Sequence, residues 1–279
     1  MSTVSVIVPV YKVEKYIEQC ARSVLSQSWP STQFIFVDDC SPDRSIEILE
    51  TLIEREFASL KDKIQIVRKP VNEGLPQARR TGLAVSTGDY ILHVDADDWI
   101  EPDAVEKLAA KADETGADVV YFYAWKEFGD GRSRVITDKE FETPQDFADA
   151  ILVHDAHPSV VLKLWKRSLF SPEIFFPRYG HAEDMIQSLQ LLDRAAKAVR
   201  LPEPLYHYRR SDTSAMSRGK RARKKSQQLR NYLDLYRFYS ASIESSPLRR
   251  CHRKLIRQAR LWALIYDRSA LREYRDLLF

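Results

Sequence analysis

Between Val4 and Tyr123, short apolar runs of strand length alternate with longer stretches whose apolar residues recur at helical spacing. No other feature restricts the fold as much. Val4–Val10 is a continuous apolar, β-branched run, the pattern of a strand buried on both faces. A helical stripe follows from Val13 to Ser26 through Tyr16, Ile17, Cys20, Val24 and Leu25. Phe34–Val37, Ile64–Val67, Tyr90–Val94 and Val119–Tyr123 read as further strands. Three more helices are expected between them. One follows the turn Ser41-Pro42-Asp43, with Asp43 or a neighbour as its cap, one runs from Gly74 to Val85, and one from Pro102 to Thr115 with proline in its first turn. This alternation predicts an α/β fold of βαβ units, a mostly parallel sheet with helices on both faces. In such sheets ligands bind beyond the carboxyl ends of the strands.

Beyond residue 124 the pattern loosens. Asp130-Gly131 marks a hairpin turn. Pro144–Val153 reads as a helix, Val160–Trp165 as extended chain, Glu183–Leu192 as a helix and Leu205–Tyr208 as a last strand. After Ser217 the spacing is helical, with stripes through Leu229, Leu233, Tyr236 and Ile243 and through Leu248, Cys251, Leu255, Ala259, Trp262 and Tyr266. Three regions are expected: 1–124, 125–217 and 218–279. The three cysteines, Cys20, Cys40 and Cys251, are too few and too scattered for a disulfide framework or a zinc site. The N-terminal segment has no signal-peptide pattern, and no apolar run reaches the length of a membrane span.

Charge is uneven along the chain. The net of +3 conceals 17 basic and 5 acidic side chains over 218–279, a net of +12, against 26 and 35 over 1–217, a net of −9. An acidic body with a basic tail suggests an anionic partner.

Carboxylates gather where the expected strands end. Asp38-Asp39 closes the second, and Asp95-Ala96-Asp97-Asp98 the fourth; Glu183-Asp184 opens a later helix. The Asp38-Asp39 pair suits turn chemistry as well as a ligand, and Glu183-Asp184 suits an acidic first helical turn. Three carboxylates within four residues repel one another, and a divalent cation bound with phosphate oxygens relieves that. Together the groups describe a site for a nucleoside diphosphate, with one carboxylate for the nucleoside, a cation for the diphosphate and one carboxylate as general base.

These motifs stand in order: Val4 to Tyr11, Val37-Asp38-Asp39-Cys40-Ser41-Pro42-Asp43, Asn72-Glu73-Gly74 with Ala78-Arg79, and Gly88-Asp89-Tyr90-Ile91 with Asp95-Ala96-Asp97-Asp98. Lys163-Leu164-Trp165-Lys166-Arg167, Glu183-Asp184 and Tyr206-His207-Tyr208-Arg209 come later. In this the chain resembles a family 2 inverting glycosyltransferase of the GT-A fold, of the bacterial surface-polysaccharide type. The resemblance is dense over 1–105, looser over 160–216 and absent over 125–158 and 218–279. It implies a Rossmann-like nucleotide-binding half, an acceptor half and a helical C-terminal extension. It implies a nucleotide-sugar donor, UDP-hexose or UDP-N-acetylhexosamine, with Mg²⁺ or Mn²⁺ as cofactor, and a glycan or lipid-linked glycan acceptor in polysaccharide, capsule or lipopolysaccharide assembly. By position, Asp39 matches the base-reading residue, and Pro9 and Tyr11 the loop against the nucleotide. Arg79 matches a basic position facing the donor, Asp95 and Asp97 the D-x-D pair with Asp97 as direct metal ligand, and Asp184 the catalytic base. Three positions depart from the family pattern: Lys12 and Arg80 stand where Asn is frequent, and Cys40 where Gly is frequent.

Other residues carry open alternatives. His93 reads as packed or hydrogen-bonded within its strand. His207 is a candidate third metal ligand, and His181 a candidate for the acceptor pocket. Trp99 either stacks on a sugar ring or packs in the core. The basic tail, from Arg218 to Lys225 and again from Arg249 to Arg260, is either a solvated helical face, a contact with an anionic membrane surface at the cytoplasmic side, or part of a helical homodimer interface. A nucleic-acid-binding protein would use the same charges but leave the carboxylates without a role. A nucleotidyltransferase on a similar sheet normally carries a glycine-rich phosphate loop after its first strand, and Val10-Tyr11-Lys12-Val13-Glu14 has no glycine.

Overall fold

In the computed structural model of the chain, the fully buried run Val4–Val10 forms β1, and the expected alternation follows from it. The structure describes residues 1–170, 174–178, 180, 182–210, 218–239, 261, 263–265, 267 and 269–275; of 218–223, 236 and 239 it gives the helical backbone alone.

The first half is built from α1 (Ile17–Leu25), β2 (Thr32–Asp38), α2 (Ser45–Glu56), β3 (Ile64–Arg68), α3 (Leu75–Val85), β4 (Tyr90–His93), β5 (Trp99–Ile100) and α4 (Ala104–Thr115). β6 (Val119–Glu127), β7 (Ser133–Ile136), α5 (Pro144–Leu152), β8 (Lys163–Lys166), α6 (Glu183–Arg194), β9 (Ala198–Arg209) and α7 (Arg218–Tyr239) complete it, with a last short helix α8 (Ala270–Glu273). The sheet order is β3-β2-β1-β4-β8-β6-β9-β5, with β7 paired to β6. β1 to β4 run parallel, β8 is antiparallel to β4 and β6, and β6 and β9 are parallel to each other. The boundary expected between residues 124 and 125 therefore falls inside β6, and one sheet crosses both halves.

Two differences from the sequence reading have local causes. The last strand begins at Ala198 rather than Leu205 because β9 keeps its pairing with β6 across Pro202 and Pro204. Its register jumps from Leu201 opposite Phe122 to Pro204 opposite Tyr123, so the missing proline donors are absorbed at an irregularity of the ladder. β5 is only two residues long and has no periodicity to read. The Asp130-Gly131 hairpin is present between β6 and β7, with Gly131 at φ 84°.

α3 lies close on the sheet because Gly82 has no side chain. A Cβ there would stand 2.4 Å from Ile7 Cγ2 and 3.2 Å from Val37 Cγ2. At the other end of the chain, Leu229 and Leu233 of α7 are buried with Ala263, Ala270 and Tyr274 in a small core of their own. Tyr232 and Leu235 of α7 join the main core. Two residues of the first expected tail stripe, Leu229 and Leu233, are thus spent within the chain, while the Tyr236 side chain and Ile243 lie outside the described residues. The side chains of 218–223, the basic run Arg249–Arg260, the whole second stripe from Leu248 to Tyr266 and His181 lie outside the described residues. Among the described residues no helix is long and apolar enough to cross a membrane.

Candidate active site

A cleft of about 480 Å³ opens at the carboxyl ends of β1, β2 and β4. Five of the residues expected from the sequence line it: Pro9, Tyr11, Asp39, Asp95 and Asp97. Asn72, Gly74, Leu75 and Ala78, from the loop before α3 and its first turn, line it as well.

The floor is held by hydrogen bonds between loops. Asp43 accepts from the hydroxyls of Ser41 and Ser45 and from the Glu14 and Ser45 amides. The Lys12 amide donates to Ser41 Oγ at 2.9 Å. Lys12 and Cys40 both adopt left-handed backbone, at φ 57° and 59°. Asn and Gly are the residues that tolerate this conformation best, so at two of the three departures from the family pattern a less tolerant residue occupies left-handed backbone.

Asp39 is only 2% exposed, and its carboxylate takes four donors. They are Lys69 Nζ at 2.6 Å, Asn72 Nδ2 at 3.0 Å, and the amides of Glu73 at 3.1 Å and Gly74 at 2.8 Å. It therefore closes the N-terminus of α3 while forming part of the cleft wall. Lys69 was missed in the sequence because a single lysine after a strand carries no signal.

Arg79, expected to face the donor, is instead fully buried beneath it. One guanidinium nitrogen donates to Asp95 Oδ1 at 2.8 Å and the other to Asp184 Oδ1 at 2.7 Å. Burial disfavours its charge, but Asp95 and Asp184 outweigh that and hold it above the usual arginine value. Asp184 stands second in α6 and also accepts from the Ser159 hydroxyl at 3.1 Å. Each of its oxygens keeps a lone pair for another donor. Ser159 is placed in turn by Lys163, whose buried ammonium donates to the Ser159 and His157 carbonyls at 2.7 and 3.0 Å. Burial lowers Lys163 to about 8.

The neighbouring carboxylates are strained electrostatically. Burial raises Asp95 and Asp97, and each is pushed further by a neighbouring aspartate. Burial and the nearby Asp184 raise Glu183 to about 7. Asp98 turns away from the cleft. It accepts from the Tyr206 hydroxyl at 2.7 Å and the Arg209 amide at 2.7 Å, and burial with Asp95 and Asp97 pushes it up to about 8. Tyr206 also accepts the Asp95 amide at 3.1 Å, so β9 fixes the Asp95–Asp98 loop.

Among the described residues no three His, Cys, Asp or Glu side chains form a ready metal cage. The donor set still fits Mg²⁺ or Mn²⁺. Asp97 lines the cleft with no lysine or arginine paired to it among the described residues, and such ions take one or two carboxylates alongside phosphate oxygens. His207 does not fit as a third ligand. Its Nδ1 lies 2.8 Å from Glu127 Oε1 and its Nε2 3.0 Å from Glu101 Oε1, so both nitrogens are engaged. Trp99 is not a free stacking platform either: its ring stacks on His207 and also carries the Arg209 guanidinium at 4.7 Å. His93 is packed against Phe170, and neither of its ring nitrogens has a partner among the described residues. Burial, with Arg79 beside it, holds it well below the usual histidine value.

Comparison with known proteins follows this geometry. The chain is similar to the uncharacterized glycosyltransferase EpsJ of Bacillus subtilis, 32% identical over 226 residues, or 76% of this chain and 62% of that protein. It is also similar to the poly(ribitol-phosphate) beta-N-acetylglucosaminyltransferase TarS of Staphylococcus aureus, 29% identical over 213 residues, or 75% of this chain and 35% of that one. It spans less than two thirds of either relative. Among solved structures, S. aureus TarS 1-349 in complex with UDP-GlcNAc superposes with a TM-score of 0.64 at 21% identity, over 99% of this chain and 90% of that one. A mannosyltransferase from Pyrobaculum calidifontis in complex with GDP-Man and Mn²⁺ gives 0.59 at 18% identity, over 99% and 75%. These likenesses give the GT-A fold. The pattern for Glycosyl transferase family 2 matches residues 5–196, and the chain belongs to that family.

Proposed function

We propose that the chain is an inverting, metal-assisted hexosyltransferase. It moves a sugar from a UDP-hexose or UDP-N-acetylhexosamine to a hydroxyl of a glycan or lipid-linked glycan in bacterial surface-polysaccharide assembly. The observation that supports this best is the Arg79 bridge, which ties a cleft carboxylate, Asp95, to the carboxylate of Asp184. A donor cleft and a general base are thereby held at a fixed separation, as a single displacement requires. The nucleotide lies against Pro9 and Tyr11, and the base is read by the loop that Asp39 holds in place. Asp184 accepts the proton of the acceptor hydroxyl as the new bond forms, a step worth roughly 10²–10⁴-fold. Arg79 and Ser159 orient that carboxylate and leave it lone pairs for the incoming proton. Attack from the face opposite the leaving group converts an α-linked donor into a β-linked product. Asp97, with Asp95 beside it, would hold Mg²⁺ or Mn²⁺, which would supply Lewis-acid neutralisation of the diphosphate.

The test is thermal unfolding with a panel of nucleotide sugars, with and without Mn²⁺. A true donor at 100 times its Kd adds about 2.7 kcal/mol, or about 5–10 °C in a chain of this size. If no nucleotide sugar shifts the transition with Mn²⁺ present, the donor-site reading fails.

We also propose that residues 218–279 hold the enzyme peripherally on an anionic membrane surface. The +12 net charge of that region supports this, as do Leu261, Leu264 and Ile265, each more than half exposed. Salt-sensitive sedimentation with anionic liposomes is expected, and preferential binding to DNA or RNA instead would overturn it.

A further inference from the structure

A second cavity, of about 360 Å³, lies on the β6–β7 hairpin and is lined by Phe128, Gly129, Asp130, Arg132 and Arg210. Three cations surround its aromatic ring. Arg210 Cζ, Arg132 Cζ and Lys126 Nζ lie 5.4, 5.8 and 6.0 Å from the Phe128 centroid. Arg132 is paired with Asp130 at 2.7 Å. Lys126 and Arg210 have no carboxylate partner among the described residues. Each cation gains from the face of the ring. That stabilises each cation separately and does nothing for the repulsion between them. The cavity has the size of a small ligand site, and an oxyanion placed in it meets forked guanidinium donors beside an apolar wall.

The position of this cavity bears on catalysis. β6 and β9 run in the same direction as β4, so the hairpin and Arg210 stand beyond the same sheet edge as the donor cleft. The Arg210 amide donates to the Glu127 carbonyl at 2.9 Å, extending the β6–β9 ladder. The residue before it, Arg209, is bonded to the metal loop twice: its amide to Asp98, and its Nε to the Asp97 carbonyl at 2.8 Å. The cavity is thus held in fixed relation to Asp97 without sharing a lining residue with the donor cleft.

We infer that this cavity is a phosphate-binding subsite for an acceptor that carries phosphodiester groups, with Arg210 in its lining and Lys126 beside the same ring as the charges that hold the phosphate. Its assignment to the acceptor rests on the transferase reading above. The donor diphosphate has its own cleft, so a second oxyanion site on the same rim serves the other substrate. An acceptor held there by its phosphate would be drawn in by charge and indexed by the spacing of its repeat.

The full chain is titrated calorimetrically at near-physiological salt with a synthetic glycerol-phosphate oligomer, with inorganic phosphate, and with phosphatidylglycerol vesicles. UDP with Mn²⁺ is titrated separately. Saturable binding of the oligomer, weakened at least tenfold in Lys126→Gln/Arg210→Gln, is expected. The control Lys61→Gln, an exposed cation in the turn before β3, should bind the oligomer within twofold of wild type. UDP affinity should stay within twofold in both variants, which also reports that they are folded. The inference is overturned by equal oligomer affinity in the double variant, by affinity for the oligomer no greater than for inorganic phosphate, or by binding to vesicles alone. Failure of the wild type to bind UDP would sink the donor-site reading instead, and the oligomer result would still decide whether the cavity takes phosphate.

Discussion

Replacing Arg79 with Met removes the side chain that, among the described residues, bridges Asp95 and Asp184. The guanidinium is 0% exposed, and the two carboxylate side chains are 25% and 28% exposed. Breaking a buried ion pair from one side costs about 3–5 kcal/mol, because the remaining charge is left without compensation. Here water reaches a quarter of each carboxylate, so the lower end applies, about 3 kcal/mol. For a chain of this size that corresponds to about 6–12 °C in Tm. The loss should also depend on pH. Burial already raises Asp95 from 3.8 in the wild type, with Arg79 opposing it. Without Arg79 the folded-state value rises further. A raised carboxyl contributes its stability below the unfolded value and loses it as pH rises through the folded one. The gap between Arg79→Met and wild type should therefore be small near pH 4 and widen above it. Urea unfolding across this range, with m compared at each pH, measures both effects. A loss under 1 kcal/mol, or a gap that narrows with rising pH, refutes the reasoning. Arg79→Lys keeps the charge but cannot span both carboxylates, so its loss should be intermediate.

Four further outcomes are expected. Asp184→Asn should lower transfer by roughly 10²–10⁴-fold with UDP affinity within about twofold; turnover near wild type would remove Asp184 as the base. Cys40→Gly relieves a left-handed cysteine and should raise stability by about 0.5–1 kcal/mol in urea unfolding, and an unchanged midpoint would count against strain there. Glu183→Gln removes a carboxyl raised from 4.5 to about 7. By the same sign rule the wild type loses stability as pH rises through 7, so the variant should gain about 1–2 kcal/mol at pH 8 and nothing near pH 4. A pH-independent gain would disprove that origin. Gly82→Ala forces a methyl against Ile7 and Val37 and should cost about 1–3 kcal/mol; a neutral effect in thermal unfolding would mean α3 shifts freely.

Legibility in the sequence followed how local each determinant is. β1 was readable to its ends because all seven of its residues are buried and all are drawn from one local run. That Pro9, Tyr11, Asp39, Asp95 and Asp97 would share one cleft was readable because each sits at or just beyond the end of a strand whose pattern is local. The fate of Asp98 was not. Its neighbours suggested a third site carboxylate, but Tyr206 reaches it from 108 residues away and pulls it into the β9 side. His207 failed as a ligand for the same reason: Glu101 and Glu127 are brought to it by pairing of β9 with β5 and β6. Arg79 showed its residue type but not its direction, since the partner Asp184 is 105 positions on. In each case a charged side chain announced that it needed a partner, and only the topology said which.

α3 explains why so many of these long-range contacts converge. Just ahead of its first residue, the Glu73 and Gly74 amides donate to Asp39, in the wall of the cleft. One turn further, Arg79 points under the cleft to Asp95 and across to Asp184. At Gly82 the helix rests on Ile7 and Val37, in the two strands that end at Tyr11 and Asp39. A helix fixed at both ends leaves Arg79 little freedom to lengthen the distance between its two carboxylates. The cleft and Asp184 would otherwise belong to parts of the chain far apart in sequence, free to drift with every loop between them. Burying one arginine against two aspartates costs desolvation, yet it sets the separation of cleft and base through a rigid element. That accounts for a fully buried charge at a position where the surrounding helix is otherwise ordinary.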